Sequence, residues 1–179
     1  MQKTTTMDQL FLDEIRDLYD AEKQLTAALP RMAMGASSEE LRAVFEDHLE
    51  QTQEHVKRLE EIFDGLGEKG AGKKCTAMQG LIREGNDLMA MDEGALRDAG
   101  LIAAAQKVEH YEISGYGSAR SHAHLLRNSE AVSLLDETLN EEKEADRILN
   151  DLAENTINNE ALEASKARRT GARTRTAGS

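Results

Sequence analysis

Carboxylates and imidazoles occupy positions where the helical pattern of this 179-residue chain calls for apolar side chains. In the run 11, 15, 18, 22, 25, 29, Glu22 stands among Phe11, Ile15, Leu18, Leu25 and Leu29. The run 41, 45, 48, 52, 55, 59 places His48, Thr52 and His55 on one seam. Glu109 and Glu112 are three apart, so they share a helix face, flanked by Val108 and Tyr116. A fourth run continues from Leu135 and Leu139 through Glu142 and Asp146 to Leu149. Several ionised carboxylates cannot share a dry core unless they are paired, protonated or metal-bound. Basic partners are scarce on these faces, with Lys107 and Lys143 one residue off the seam. Two divalent cations would neutralise the set. Imidazole plus carboxylate suits iron or manganese, with zinc also compatible.

These groups need four long helices to bring them together, and the pattern supplies them. Thr6 and Gln9 form a capping box that starts helix one. Pro30 is expected to end or kink it, and Gly35 to close it as a left-handed cap. A second box, Ser37 to Glu40, opens helix two, which Gly65 and Gly67 close. Residues 70–74 read as loop and Cys75 to Met91 as a shorter helix. Asp92 is expected to cap helix three, which runs to about Arg127, and Asn128 and Ser129 make the turn into helix four. Periodicity is lost after about Leu162. Short links make antiparallel hairpins of helices one/two and three/four, while the roughly 25-residue crossover between them is the long connection of a ferritin-like bundle. The expected fold is therefore all-α: a ferritin-like four-helix bundle with a long crossover carrying an extra short helix.

Helix heights turn four seams into one layer. From the turn at Gly35, Glu22 lies 13 residues back, and His48 and His55 lie 13 and 20 forward. From Asn128, Glu112 and Glu109 lie 16 and 19 back, and Glu142 and Asp146 lie 14 and 18 forward. At about 1.5 Å of rise per residue, the groups fall within roughly two turns of each other. Taken singly, each has a plainer reading: a partly exposed glutamate, a satisfied core histidine, a solvated face. Coincidence of height across four helices is what points to a shared site.

Composition bounds the alternatives. Net charge is −12, there is one cysteine and one proline, and no stretch is long and apolar enough to span a membrane. A lone Cys75 excludes an internal disulfide framework and fits a reducing compartment. The N-terminus lacks an apolar signal core, so a cytoplasmic location is expected. All 34 acidic residues lie at or before Glu163, leaving 17 basic residues in that body, while Lys166, Arg168, Arg169, Arg173 and Arg175 follow. A bundle over 1–163 and a disordered basic tail over 164–179 are expected. The acidic body repels nucleic acid, so only the tail could contact it. Cys75, the methionines at 78, 89 and 91, and His122 and His124 read as structural or surface residues. No phosphate loop, nucleophile elbow or zinc CxxC is present.

The segments LYDAEKQLTAALPRMA (18–33), HLEQTQEHVKRLE (48–60), CTAMQGLIREG (75–85), DAGLIAAAQKVEHYEISGYGS (98–118) and LLDETLNEEKEAD (134–146) resemble the YciF/YciE-like ferritin-like proteins of bacteria. The resemblance spans about Met7 to Leu152 and implies a homodimer, a di-metal centre and an association with general stress responses. It implies Glu22 as the helix-one ligand, Glu109 and Glu112 as an ExxE pair like that of rubrerythrin-type helices, and Glu142 as the helix-four bridging carboxylate. Two departures stand out. Where ferritin-like helices carry Glu-x-x-His, Thr52 precedes His55 by three, and helix four offers Glu142 and Asp146. Where the family's helix two reads Glu-Thr-x-x-His, this chain has Gln51. Helix two then supplies His55 alone, or turns to Glu50 or His48 instead. The expected ligand set is Glu22, His55, Glu109, Glu112, Glu142 and Asp146, with Glu109 and Glu142 bridging two metals. The expected function is oxidant or iron handling under stress, with a ferroxidase- or peroxidase-like oxidoreductase as its enzymatic form. The alternative is a non-catalytic structural or interaction bundle with a degenerate site, which Gln51 favours.

Overall fold

A computed structural model describes residues 4–70 and 73–176, with side chains described through residue 169. Its elements are helices α1 (Met7–Gly35), α2 (Glu39–Leu66), α3 (Thr76–Leu88), α4 (Ala95–Leu125) and α5 (Ser129–Leu152). A π-turn (Ala153–Ile157) and α6 (Asn158–Thr176) follow. Among the described residues there is no strand, and no helix is long and apolar enough to cross a membrane. Helices α1/α2 and α4/α5 form the two hairpins of a four-helix bundle, and α3 rides on the crossover against α4 and α1. Part of the expected 70–74 loop, residues 71–72, lies outside the described residues.

Local chemistry sets the helix ends. The Gln9 backbone N–H donates to Thr6 Oγ1 at 3.2 Å, which caps α1. At the end of α2, Gly67 takes the left-handed conformation (φ 67°) that a side chain would disfavour. Four other expectations shift. Pro30 does not end α1 but sits inside it, at an exposed position where solvent can take the carbonyl that proline leaves unpaired, while buried Leu29 and Ala33 keep the helix seated on the core. Gly35 stays helical and Ala36 is the cap; a Cβ at Gly35 would lie 2.1 Å from Met89 Cε, so the glycine makes room for the crossover. Ser38, not Ser37, caps α2, because the Ser37 and Ser38 backbone N–H groups donate to the buried Asp98 carboxylate. Gly94, not Asp92, precedes α4, and its N–H donates to Ser37 Oγ.

The C-terminal segment differs most. Leu149, Ala153, Ile157 and Ala161 are all buried and four apart. Steps of four overshoot a 3.6-residue turn by about 40° each, and the wider π-turn absorbs part of that drift so that the stripe keeps facing the core. The helix then runs past residue 163, where loss of order was expected, and lies against α4. Arg168 reaches Asp92 at 3.1 Å. Residues 177–179 of the expected tail lie outside the described residues.

The core is split. One apolar cluster includes Leu25, Leu29, Leu41, Phe45, Leu101 and Leu149; the other includes Phe11, Ile15, Leu59, Ile62, Leu135 and Leu139. The polar seam residues lie between them in each of the four bundle helices α1, α2, α4 and α5. Ile157, fully buried, should cost about 2–5 kcal/mol when changed to Ala, read as a lower urea midpoint. Removing 164–179 should move the melting temperature by about 2 °C or less, because the described side chains beyond 163 are exposed or half-buried.

Candidate metal centre

Each long helix delivers its seam residues to the gap between the two apolar clusters. Glu22 from α1, His48, Thr52 and His55 from α2, Glu109 and Glu112 from α4 and Glu142 from α5 are all buried. Potential ligand atoms of His48, Glu109, Glu112 and Glu142 lie within 4.8 Å of one another, as do those of Glu22, His55 and Glu142. Glu142 is common to both sets. His48 Nε2 lies 3.5 Å from Glu109 Oε1 and 3.7 Å from Glu142 Oε2. His55 Nδ1 lies 3.3 Å from Glu22 Oε1 and 3.0 Å from Glu142 Oε1. Tyr116 closes one side, its hydroxyl donating to Glu22 Oε1.

Five of the six expected ligands thus converge, and Asp146 does not join them. One turn beyond Glu142, its half-buried carboxylate accepts from Gln106 Nε2 at 3.3 Å and lies 3.5 Å from His110 Nε2. His48 takes its place in the cluster; the signal was its position on the seam seven residues before His55. Thr52 is no ligand, since its hydroxyl donates to the His48 carbonyl at 2.8 Å. Exposed Lys107 pairs with Glu84, away from the cluster.

A supporting shell was not legible from the seam pattern. The Nε2 of His55 meets Glu141 Oε2 at 2.8 Å, which leaves Nδ1 for the cluster. Arg58 grips Glu141 from the far side, with Nη2 to Oε1 at 3.0 Å, and also donates to Thr138 Oγ1. Burial would raise the Glu141 pKa, but Arg58 and His55 outweigh it and hold the carboxyl below its usual range. Behind His48 stands Gln51, whose Oε1 lies 3.4 Å from Nδ1. Gln51 therefore sits behind an imidazole rather than in the cluster. Arg58, three residues after His55 on the same face, was the available hint.

The residues fit cations. Of nine buried side-chain polar atoms without a hydrogen-bond partner among the described residues, eight belong to Glu22, His48, His55, Glu109, Glu112 and Glu142. Native proteins leave few such atoms unpaired, and a cluster of them needs an explanation such as an ion. Without cations, burial pushes the Glu109 carboxyl up to about 7, that of Glu142 up to about 8 and that of Glu112 well above its usual range. Burial opposes charge on His55, yet Glu142 and Glu22 outweigh it and push the imidazole up to about 11.

These shifts fix a sign. Between the ordinary 4.5 and about 7–8, Glu109 and Glu142 hold protons in the folded chain that the unfolded chain releases, so stability falls as pH rises. The contribution of His55 is complete below its ordinary 6.5 and is lost as pH rises through about 11, which has the same sign. The metal-free protein should melt at least about 10 °C lower at pH 8 than at pH 5. Calorimetry in chelator across that range checks it; a melting temperature that climbs with pH would contradict these shifts.

Comparison with known proteins places this chain in a family. Residues 6–162 match the family model described as a domain of unknown function, DUF892. The protein YciF of Escherichia coli strain K12 is 44% identical over 158 residues, covering 87% of this chain and 95% of YciF. The crystal structure of that stress protein superposes with a TM-score of 0.83, covering 87% of this chain and 99% of the other. YcfI from Rhodopseudomonas palustris, described as a candidate structural protein, is 40% identical with a TM-score of 0.80 over 83% of this chain and 96% of its own. A protein from Xanthomonas campestris pv. campestris shares the fold at 17% identity, with a TM-score of 0.70 over 93% and 99% of the two chains. The chain belongs to the DUF892 family and is a relative of the stress protein YciF.

Proposed function

We propose that the mid-bundle layer is a ferritin-like di-metal site for iron or manganese, serving oxidant or iron handling under stress. The convergence of eight unpaired buried atoms on one layer carries this reading. Glu22 and His55 would hold one ion, His48, Glu109 and Glu112 the other, and Glu142, common to both sets, would bridge them. Two ferrous ions there would supply the two electrons that, with two protons, reduce one dioxygen to hydrogen peroxide. The chain's own residues do the rest. Glu141 fixes the His55 tautomer, Arg58 holds Glu141, and Gln51 supports His48. Tyr116, kept a phenol by burial and by the Glu22 and Glu112 charges, donates a hydrogen bond to Glu22 and closes that side to water. Likeness to a stress protein supports the physiological setting.

A second reading is a structural bundle without turnover. The description of YcfI as a candidate structural protein and the neutral Gln51 favour it. The family resemblance also supports a homodimer, which a sedimentation mass of a single chain would exclude.

Elemental analysis should find about two metals per chain. Glu142→Ala should abolish both, whereas Glu22→Ala should spare the ion held by His48, Glu109 and Glu112. Glu141→Gln should weaken binding about 10–100-fold without removing a ligand. Gln51→Glu should strengthen it by giving His48 a charged support. If the protein takes up no iron, manganese or zinc and Glu142→Ala melts at or above wild type, the structural reading stands instead.

A further inference from the structure

An apolar cavity of about 20 Å³ abuts the metal layer, and His48 and Glu109 are the two polar residues in its lining. Both are nearly fully buried, and each carries an unpaired polar atom, His48 Nε2 and Glu109 Oε2. Half-buried Met32 and Val44 lie at its outer side, between the end of α1 and the start of α2, and Ala105 and Val108 form a wall. The volume suits one very small molecule. A cavity needs about 10–15 Å³ to admit a water, and that water needs two to four polar partners; apolar cavities stay dry and take up xenon or benzene instead. Water fits this lining poorly, because the unpaired atoms of His48 and Glu109 present almost no surface to it and the wall it would meet is hydrocarbon. Hydrogen peroxide fares worse, because its two hydroxyls would lose their hydrogen bonds along a hydrocarbon wall. Dioxygen has none to lose.

We propose that this cavity is a docking site for a small apolar gas, dioxygen, delivered between Met32 and Val44 to the His48/Glu109 side of the layer; as a route to metal, it rests on the di-metal reading above. The site selects the oxidant by polarity: dioxygen enters by the cavity, and peroxide reaches the layer another way.

Xenon tests the cavity without any metal. Methyl chemical shifts of Val44, Ala105 and Val108 should move saturably when metal-free protein is placed under xenon, and Ala105→Leu should abolish the response by filling the space. Val44→Phe, at a half-buried position that tolerates bulk, should do the same if the larger substitution upsets folding. With ferrous iron loaded, either variant should slow oxidation by dioxygen about tenfold or more while oxidation by added hydrogen peroxide changes less than about twofold. No xenon response in the wild type, or equal slowing with both oxidants, overturns the proposal. If the wild type binds no iron but responds to xenon, the di-metal reading falls and the gas site stands on the xenon result.

Discussion

The structure depends on a charged layer set across the middle of a hydrophobic core. Four glutamates and two histidines lie there, none more than 5% exposed. An ionised carboxylate taken out of water costs several kcal/mol even after relaxation, and whole domains are stable by only about 5–15 kcal/mol. Four such groups could therefore not all be ionised without counter-charge. Protons or cations must supply it, because the basic side chains described nearby are engaged elsewhere, Arg58 with Glu137 and Glu141 and Lys107 with Glu84. The two apolar clusters on either side hold the helices in register, so the layer cannot relieve itself by splaying apart. Folding and occupancy are linked for that reason: whatever neutralises the layer also stabilises the bundle.

The same constraint explains why much of the site was legible in the sequence. A polar residue on a seam of period 3.6 is visible without coordinates, and short hairpin links set the heights of Glu22, Glu109, Glu112 and Glu142. Phase along α5 was harder to read. Glu142 and Asp146 are four apart, and one helical turn moves the second to the half-buried rim, where it meets His110 and Gln106. Helix ends were legible where the cap is local, as at Thr6 and Gly67. They were not where tertiary partners decide: Gly35 answers to Met89, Ser37 to Gly94 and Asp98, and Pro30 to the open side of α1. Glu141 and Arg58 escaped notice because they belong to the α2/α5 contact rather than to any single stripe.

The two imidazoles are not equivalent. His55 is backed by a carboxylate that is itself pinned by a guanidinium, whereas His48 is backed by a neutral amide at longer range. A charged partner raises the basicity of a ligating imidazole and fixes its orientation; an amide does so less. Gln51, which reads in the sequence as a lost ligand, is thus better understood as the weaker of two supports. Its effect falls on the His48 side alone, and the His55 side keeps its charged support.

That inequivalence runs in the same direction as access. On the His55 side, Tyr116 bonds Glu22 and its ring stands edge-on to His55 with centroids 6.2 Å apart, which seals the layer against the Phe11–Leu139 cluster. On the His48 side the packing leaves a cavity. A rigid, charge-backed imidazole behind a closed wall suits a ligand that stays put, and a loosely backed imidazole beside a void suits one whose surroundings must change. The layer is thereby polarised along the bundle's long axis: closely packed and carboxylate-backed at the His55 end, amide-backed and beside a cavity at the His48 end.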